Sequence, residues 1–270
     1  MAYQHPPAVL RAGPIPVPAT RPRAVTIAHT PTATGAAVEI GSSGQPARRA
    51  SAREDPYLLL RRFDTVIVVD DSASMTEHWD ATRAALENVA SMALKHDEDG
   101  IDLYFMNNTA VGARNVKSAT HIRRLFAQVH PTGITPTGEC LDEILRTYLD
   151  RYADARKEPG AARVKPLNIL VITDGEPTDD PESVIVSAAR RLEALNAPLH
   201  QVGIQFLQIG DEPGAREALE ELDDDLETYY GIRDMVDTTR YASDDEEISA
   251  NILIKTLLGG VNRRWDRRED

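Results

Sequence analysis

One short segment of the chain carries side chains that could hold a metal ion. Asp70, Ser72 and Ser74 place one carboxylate and two hydroxyls at alternate positions. They directly follow the apolar run 66–69 (VIVV), which is typical of a buried strand. Ligands of open α/β sheets bind beyond the carboxyl ends of strands, where this segment would lie. Because Mg²⁺ prefers oxygen ligands, the segment predicts part of a Mg²⁺ site.

Two later segments could supply the remaining ligands. The turn 133–138 (GITPTG) lies between two predicted helices and offers the hydroxyls of Thr135 and Thr137. A second apolar run, 167–173, ends in Thr-Asp-Gly-Glu, which places Asp174 just beyond a strand. Since the carboxyl ends of parallel strands meet at one edge of a sheet, Asp174 is expected to face Asp70 there.

The elements that must position these residues alternate between strand and helix. The apolar and β-branched runs predict strands, and apolar residues at helical spacing predict helices. The predicted strands are 63–69, 101–106, 167–173, 202–209 and a short 235–236, and the predicted helices are 80–95, 119–129, 139–152, 181–195, 213–226 and 248–258. Such alternation with apolar strands predicts an α/β fold, with a doubly wound and mostly parallel sheet covered by helices on both faces.

Together, these motifs resemble the von Willebrand factor type A (vWA) domain with its metal-ion-dependent adhesion site, or MIDAS. That family carries Asp-x-Ser-x-Ser after its first strand, a Thr-containing loop, and a Thr-Asp-Gly segment after a later strand. All three elements occur here in the family order, and the resemblance covers residues 63–258. It implies a Rossmann-like, doubly wound fold. The loop departs from many family members at Ile134, where they have Gly, which implies a change of loop stiffness only.

The resemblance also implies a ligand set and a type of partner. The family's metal ligands correspond to Asp70, Ser72, Ser74, Thr135 and Asp174, whereas Thr137 would support the loop. In the family the serines bind Mg²⁺ or Mn²⁺ directly, the threonine binds directly or through water, and the aspartates often act through water. The ion leaves one position open for an acidic residue of a partner protein. An ion held mainly by neutral hydroxyls keeps much of its charge, which suits that role.

Composition excludes several other classes. The 270 residues carry a formal net charge of -13, which would repel nucleic acid and anionic membrane surfaces. The single cysteine, Cys140, cannot form an internal disulfide and is expected to be a small packed residue. We find no apolar run of transmembrane length and no signal peptide, and therefore expect an intracellular protein. For the same reason the glycosylation sequon at Asn107 is expected to be idle.

The chain divides into three parts by composition. Residues 1–56 are rich in Pro, Ala and Thr, carry six arginines against three acids, and predict a disordered tail. Residues 57–260 form the predicted vWA domain. Residues 261–270 contain four arginines and form a basic C-terminal end, which could bind an acidic surface or simply fray.

Several other residues have two interpretations. Asp179, Asp180 and Glu182 could form a second cation site, but we favour a helix cap by Asp179 or Asp180 at Pro181. His78 and Trp79 could line a partner surface or form an ordinary rim. The acidic run 223–225 is expected to be a solvated helix end.

Three functions remain open from the sequence. The leading one is a metal-dependent protein-interaction module with no catalytic activity. An alternative is a Mg²⁺-dependent phosphohydrolase with Asp70 or Asp71 as nucleophile. Such enzymes carry the pattern Asp-x-Asp, however, and this chain has Ser72 in place of the second aspartate. The third is a scaffold subunit whose ion only stabilises its loops. No P-loop, H-E-x-x-H or G-x-S-x-G motif is present.

Overall fold

The computed structural model describes residues 61–93, 100–157, 160, 162–241 and 249–266. Six strands in these ranges form one sheet in the order β3-β2-β1-β4-β5-β6. The strands are β1 (Asp64–Val69), β2 (Ile101–Phe105), β3 (Ala113–Val116), β4 (Leu167–Thr173), β5 (Val202–Ile209) and β6 (Val236–Tyr241). All neighbouring pairs are parallel except β2 with β3. The predicted α/β fold with a mostly parallel sheet is confirmed.

Six α-helices in the described ranges cover the two faces of the sheet. They are α1 (Trp79–Ala93), α2 (Ala119–Phe126), α3 (Thr137–Ala155), α4 (Pro181–Ala194), α5 (Pro213–Tyr230) and α6 (Ala250–Asp266). Helices α3, α4 and α5 pack on one face, and α1, α2 and α6 pack on the other. None of the six has the length and hydropathy that a bilayer-spanning segment requires.

The core has two layers because the central strands are buried on both faces. In β4 and β5 every residue is buried, as is usual for parallel strands between helical layers. Along β4, Ile169 and Val171 point toward α3 and α4, whereas Leu170 and Ile172 point toward α1 and α6. Cys140 lies in the first layer as a buried free thiol, as expected, and burial raises its pKa to about 12.

The edge strands differ from the sequence prediction. Strand β3 was not predicted, because its residues Ala-Arg-Asn-Val show no apolar run. It is an antiparallel edge strand, and the backbone N–H of Asn115 donates to the Asp102 carboxylate at 2.9 Å. Strand β6 is longer than the predicted 235–236, although most of its side chains are polar. Pairing with β2 or β5 therefore defines these edges where the apolar pattern does not.

The chain ends are only partly described. Helix α6 continues to Asp266, so residues 261–266 of the predicted basic end belong to this helix. The disordered tail predicted over residues 1–56 lies outside the described residues, as do residues 267–270.

The acidic run 223–225 contains a structural residue rather than three solvated ones. The Asp223 carboxylate accepts the backbone N–H of Thr238 in β6 at 2.7 Å. Burial is the main cause that raises the pKa of Asp223 to about 6, and the nearby Asp237 adds to it. The sequence prediction was wrong at this residue, because its partner is a strand that the apolar pattern did not reveal in full.

Candidate metal-ion site

The site lies at the carboxyl edge of the sheet, beyond β1 and β4. These strands are adjacent and parallel, with Val69 paired to Ile172, so the segments that follow them leave the sheet side by side. The backbone N–H of Asp70 continues the pairing by donating to the Ile172 carbonyl at 2.9 Å. The first and third predicted ligand segments are therefore brought together by strand register.

Asp70 is fully buried, and its neighbours hold both of its oxygens. Its Oδ1 accepts the backbone N–H of Ser72 at 2.8 Å, and its Oδ2 accepts the Thr173 hydroxyl at 2.6 Å. Burial raises the pKa of Asp70, these hydrogen bonds oppose the rise, and the charge of Asp174 adds to it. Asp70 therefore carries a desolvated carboxyl group and fixes the turn that presents Ser72.

Ser72, Ser74 and Asp174 form a continuous chain of oxygens. The hydroxyl oxygens of Ser72 and Ser74 lie 3.0 Å apart, and the Ser74 hydroxyl donates to Asp174 Oδ1 at 2.8 Å. Burial raises the pKa of Asp174, while the Ser74 hydrogen bond and the charge of His78 lower it. The structure thus joins residues that are 100 positions apart in the sequence.

Thr135 is brought to the same place by its loop. Its side chain is buried, and its Oγ1 lies 3.4 Å from the position that a Cβ atom on Gly175 would occupy. The Ser74 Oγ lies 3.9 Å from that same position. Gly175 therefore leaves open the space beside both hydroxyls. All five predicted ligand residues converge on this edge of the sheet.

Backbone hydrogen bonds hold the Thr135 loop in position. The Thr135 carbonyl accepts the N–H groups of Thr137 and Thr178, both at 2.9 Å. Thr137 is itself buried, in agreement with the supporting role expected for it. Gly133 has a φ of 88°, and a Cβ atom there would lie 2.8 Å from the Asn107 side-chain oxygen. This position therefore requires glycine.

Asp71 has a structural role that the motif does not reveal. It is fully buried, and it accepts the backbone N–H and the side-chain amide N–H of both Asn107 and Asn108 at 2.6–3.2 Å. The Asn107 amide also donates to the Ile134 carbonyl at 2.8 Å, and the Asp71 carbonyl accepts the N–H of Thr132. Asp71 therefore links the loops after β1 and β2 to the loop of Thr135.

The sequence carries a signal for these asparagines that lies outside the three ligand motifs. Asn107 and Asn108 directly follow a predicted strand, as Asp70 and Asp174 do, although their sequence also matches a glycosylation sequon. Their place beyond the carboxyl end of β2, next to β1, brings them to the site. Thr173, which holds Asp70, was likewise part of the Thr-Asp-Gly motif without an assigned role.

The three acids considered for a second cation site have separate partners. Asp180 caps α4 by accepting the Ser183 N–H at 3.0 Å, as expected for one of the two aspartates. Asp179 instead caps α3, accepting the N–H groups of Gly138 and Glu139 at 2.9 and 2.7 Å. Glu182 accepts the Tyr230 hydroxyl. Within the described ranges, no group of three or more His, Cys, Asp or Glu side chains is placed to hold a metal ion.

The rim of the site combines aromatic, imidazole and apolar groups. Trp79 packs on Phe126 and Phe105, with ring centroids 4.6 and 5.8 Å apart, and so belongs to the core boundary. The His78 ring lies near Gly210 and close enough to Asp174 to lower its pKa. Ile134 is 60% exposed next to Thr135. Exposed Ile134 and half-buried His78 therefore border the oxygen cluster.

Comparison with known proteins identifies the family. The family model of the von Willebrand factor type A domain matches residues 64–242, so the chain belongs to this family. This membership supports a general protein-interaction or adhesion-type module, and vWA domains often bind a divalent metal ion. None of the curated proteins that were compared with the chain matches it.

Three solved structures illustrate the similarity. Proximal thread matrix protein 1 from the mussel byssus is 18% identical over 75% of this chain and 48% of its own, with a TM-score of 0.41. An aerotolerance-related membrane protein from Bacteroides fragilis is 14% identical over 74% of this chain and 99% of its own, with a TM-score of 0.39. The pilus adhesin SpaC from Lactobacillus rhamnosus GG is 12% identical over 75% of this chain and 30% of its own, with a TM-score of 0.40. The chain thus spans less than half of the mussel protein.

Proposed function

We propose that this vWA domain is a Mg²⁺- or Mn²⁺-dependent protein-interaction module that binds an acidic side chain of a partner protein. The observation that carries this proposal is the convergence of the Ser72, Ser74 and Asp174 oxygens, with Thr135 facing the same open space beside Gly175. Asp70, Ser72, Ser74, Thr135 and Asp174 would hold the ion, and no catalytic activity is part of the proposal.

The spacing of the oxygens fits a magnesium ion. Adjacent ligands in an octahedron with metal–oxygen distances of about 2.1 Å are about 3.0 Å apart. The Ser72–Ser74 and Ser74–Asp174 separations are 3.0 and 2.8 Å. The donors are hydroxyl and carboxylate oxygens, which suit a hard cation better than a soft one. The residues present therefore fit the ion that the family implies.

The electrostatics of the site favour a cation as well. Asp70 and Asp174 are both buried, and burial raises the pKa of each. A bound divalent cation would favour their charged forms and offset the cost of desolvation. Three of the five residues contribute neutral hydroxyls, and the two carboxylates would balance the formal charge of the ion, so the ion would remain a Lewis acid able to accept one further carboxylate at an open position.

The same contacts argue against a phosphohydrolase. Both oxygens of Asp70 accept hydrogen bonds inside the fold, and both oxygens of Asp71 do so too. Each residue is 0% exposed, so neither presents an oxygen to a substrate in solvent. Each Asp70 oxygen accepts one hydrogen bond and keeps a second lone pair for an ion or its water inside the site, whereas each Asp71 oxygen accepts two. A nucleophilic aspartate needs a free oxygen facing the reacting phosphorus atom. The interaction module is therefore the better-supported function.

Metal binding can be tested directly with the double variant Ser72→Ala/Ser74→Ala. We expect Mg²⁺ and Mn²⁺ to raise the melting temperature of the wild type, with heat of binding in calorimetry, and to have neither effect on the variant. Ser91→Ala is a matched control, because the exposed Ser91 hydroxyl lies on α1 and bonds only the Glu87 carbonyl. An equal metal response in the double variant would refute the site.

Partner binding needs a separate experiment. A pull-down from host lysate with Mg²⁺ should capture proteins that EDTA releases and that the double variant does not capture. Blocking partner carboxylates with carbodiimide and glycine amide should abolish the capture. Capture that persists in EDTA, together with a Mg²⁺-dependent melting temperature, would favour the scaffold alternative. Phosphatase turnover that disappears in Asp70→Asn would favour the enzyme.

A further inference from the structure

One large apolar side chain is exposed beside the metal-ion site. Ile134 is 60% exposed and directly precedes Thr135, one of the five proposed ligands. The other exposed side chains of this kind in the described ranges lie elsewhere: Leu199 just precedes the amino end of β5, and Tyr229 and Tyr230 end α5. A single exposed apolar residue is common on protein surfaces. What distinguishes Ile134 is the loop that carries it.

That loop fixes the position of Ile134. The Ile134 carbonyl accepts the Asn107 side-chain amide at 2.8 Å, and the Gly133 carbonyl accepts the Ala73 N–H at 3.4 Å. The Thr135 carbonyl accepts two further backbone N–H groups. All of these bonds use the backbone of the loop and leave the Ile134 side chain in solvent. Since a β-branched side chain has few rotamers, a contact on Ile134 would cost little conformational entropy.

Ile134 also lies within reach of a segment that binds the ion. It is the chain neighbour of Thr135, and consecutive Cα atoms are about 3.8 Å apart. An extended partner segment rises by about 3.3 Å per residue. When the carboxylate of such a segment binds at the ion beside Thr135, a side chain one or two residues away can contact Ile134. The acid and the apolar contact would therefore come from one short segment.

The other charges near the site disfavour a strongly acidic segment. Glu176 and Glu212 are exposed, and the Glu176 Oε2 lies 3.1 Å from the position that a Cβ atom on Gly214 would occupy. Burial raises the pKa of Asp174, and the charge of Glu212 adds to that rise. The chain as a whole carries a net charge of -13. Additional acids in the partner would meet these carboxylates, whereas an apolar neighbour of the binding acid would find Ile134.

We propose that Ile134 selects the partner of the metal-ion site. The segment it favours carries one acidic residue, which binds the ion, and a large apolar residue within two positions of it, which packs on Ile134. This inference rests on the metal-dependent function proposed above and specifies the chemistry of the partner. Ile134 thus contributes a contact as well as the change of loop stiffness expected from the sequence.

The probes are four biotinylated peptides on a streptavidin surface, over which the full chain is passed in Mn²⁺ or in EDTA. The first is Gly-Leu-Asp-Leu-Gly, and the others replace both Leu by Ser, both Leu by Glu, or Asp by Asn. We expect the Leu peptide to bind about four- to tenfold more tightly than the Ser peptide, because each CH₂ group buried on Ile134 contributes about a fourfold gain. The Glu peptide should bind more weakly than the Ser peptide. Replacing Asp by Asn, or Mn²⁺ by EDTA, should abolish binding.

The principal variant is Ile134→Thr, which keeps the β-branch and therefore the stiffness of the loop. It should weaken binding of the Leu peptide about four- to tenfold and leave the Ser peptide within about twofold, so that the loss depends on the apolar residue of the peptide. Ile134→Val should give an intermediate loss. The rise in melting temperature with Mn²⁺ checks that each variant is folded and binds the ion.

The matched control is Leu199→Ser. Leu199 is 61% exposed, nearly the same as Ile134, but it lies at the opposite edge of the sheet. This variant should bind both peptides as the wild type does, because Leu199 is far from the ion. The control therefore separates a contact at the metal-ion site from nonspecific adhesion of apolar peptides.

Three results would overturn the proposal and leave the metal-dependent function intact. One is equal binding of the Leu and Ser peptides by the wild type in Mn²⁺. Another is an equal loss of both peptides in Ile134→Thr, which would indicate an effect on the loop. The third is a loss of the Leu peptide in Leu199→Ser as large as that in Ile134→Thr. A different pattern, in which the Leu peptide binds no better than the Asn peptide, would refute the proposed function itself and this inference with it.

Discussion

Replacing Asp71 by asparagine tests how the loops of the metal-ion site are held together. The buried Asp71 carboxylate accepts four hydrogen bonds, two from Asn107 and two from Asn108. Asn has almost the same shape, but one of its side-chain positions becomes an NH₂ donor. That donor would face N–H groups of Asn107 or Asn108, so two hydrogen bonds are lost and buried donors are left without acceptors.

The expected cost follows from the strength of these bonds. Hydrogen bonds to a charged group contribute about 1.5–3 kcal/mol each, and their losses are not additive, so we expect Asp71→Asn to lower the free energy of unfolding by about 3 kcal/mol. For a domain of this size that corresponds to a melting temperature lower by about 6–12 °C. Urea unfolding followed by circular dichroism, in metal-free buffer, gives the first quantity, and a thermal scan gives the second.

The control for this experiment is Asp80→Asn. The Asp80 side chain is 91% exposed on α1, and its contact with Arg83 is a surface ion pair, so we expect a change below about 0.5 kcal/mol. A loss smaller than about 1 kcal/mol in Asp71→Asn would contradict the reasoning, since it would mean that the four bonds to Asp71 add little beyond hydration. Asp71→Asn should also weaken Mn²⁺ binding, because Asn107 connects Asp71 to the loop of Thr135.

Two further substitutions test other contacts of the fold. The pKa of Asp223 is raised in the folded protein, so the folded state holds this proton more tightly than the unfolded chain does. The contribution of this group to folding stability is therefore fully present below about pH 4 and is lost as the pH rises through about 6. Asp223→Asn should therefore raise the melting temperature at pH 7.5 by about 2–4 °C, which is equivalent to about 1 kcal/mol after allowance for solvent screening. At pH 4 the variant and the wild type should melt at the same temperature. If they also melt at the same temperature at pH 7.5, the result would contradict this reasoning. Asp179→Ala removes the cap of α3 and should cost about 1 kcal/mol in urea unfolding, whereas Asp179→Asn, which keeps one of the two acceptor oxygens, should cost about half of that. A selective loss of cation binding in Asp179→Ala, without loss of stability, would instead support the second cation site.

The central strands could be predicted from the sequence because their pattern is local. Strands β4 and β5 begin and end where the apolar runs 167–173 and 202–209 do. Both faces of these strands are covered by helices, so burial selects apolar residues at most positions, with Asn168, Gln205 and Gln208 as buried polar exceptions. Strand β3 could not be predicted in the same way. It is only four residues long and half exposed, and its pairing with β2 alone makes it a strand.

The residues around the candidate site also divide into those that local motifs predict and those that only the fold brings together. The five proposed metal ligands were predicted from three short motifs, each attached to a strand end or a loop. The residues that hydrogen-bond the segment 70–71 could not be predicted, because they lie far from it in the sequence. Thr173 reaches Asp70 across 103 positions, and Asn107 reaches Asp71 across 36. Asp179 caps a helix that begins 42 positions before it, rather than the helix that follows.

The sequence by itself determined which oxygens this protein can offer and at which ends of which strands they stand. Strand, helix and motif are local properties, set by side-chain periodicity and by a few adjacent residues. The tertiary structure decided that β1 lies between β2 and β4, and with that order it decided which donors surround Asp70 and Asp71. Contacts of this kind depend on strand order and register, because only the assembled sheet places distant segments side by side.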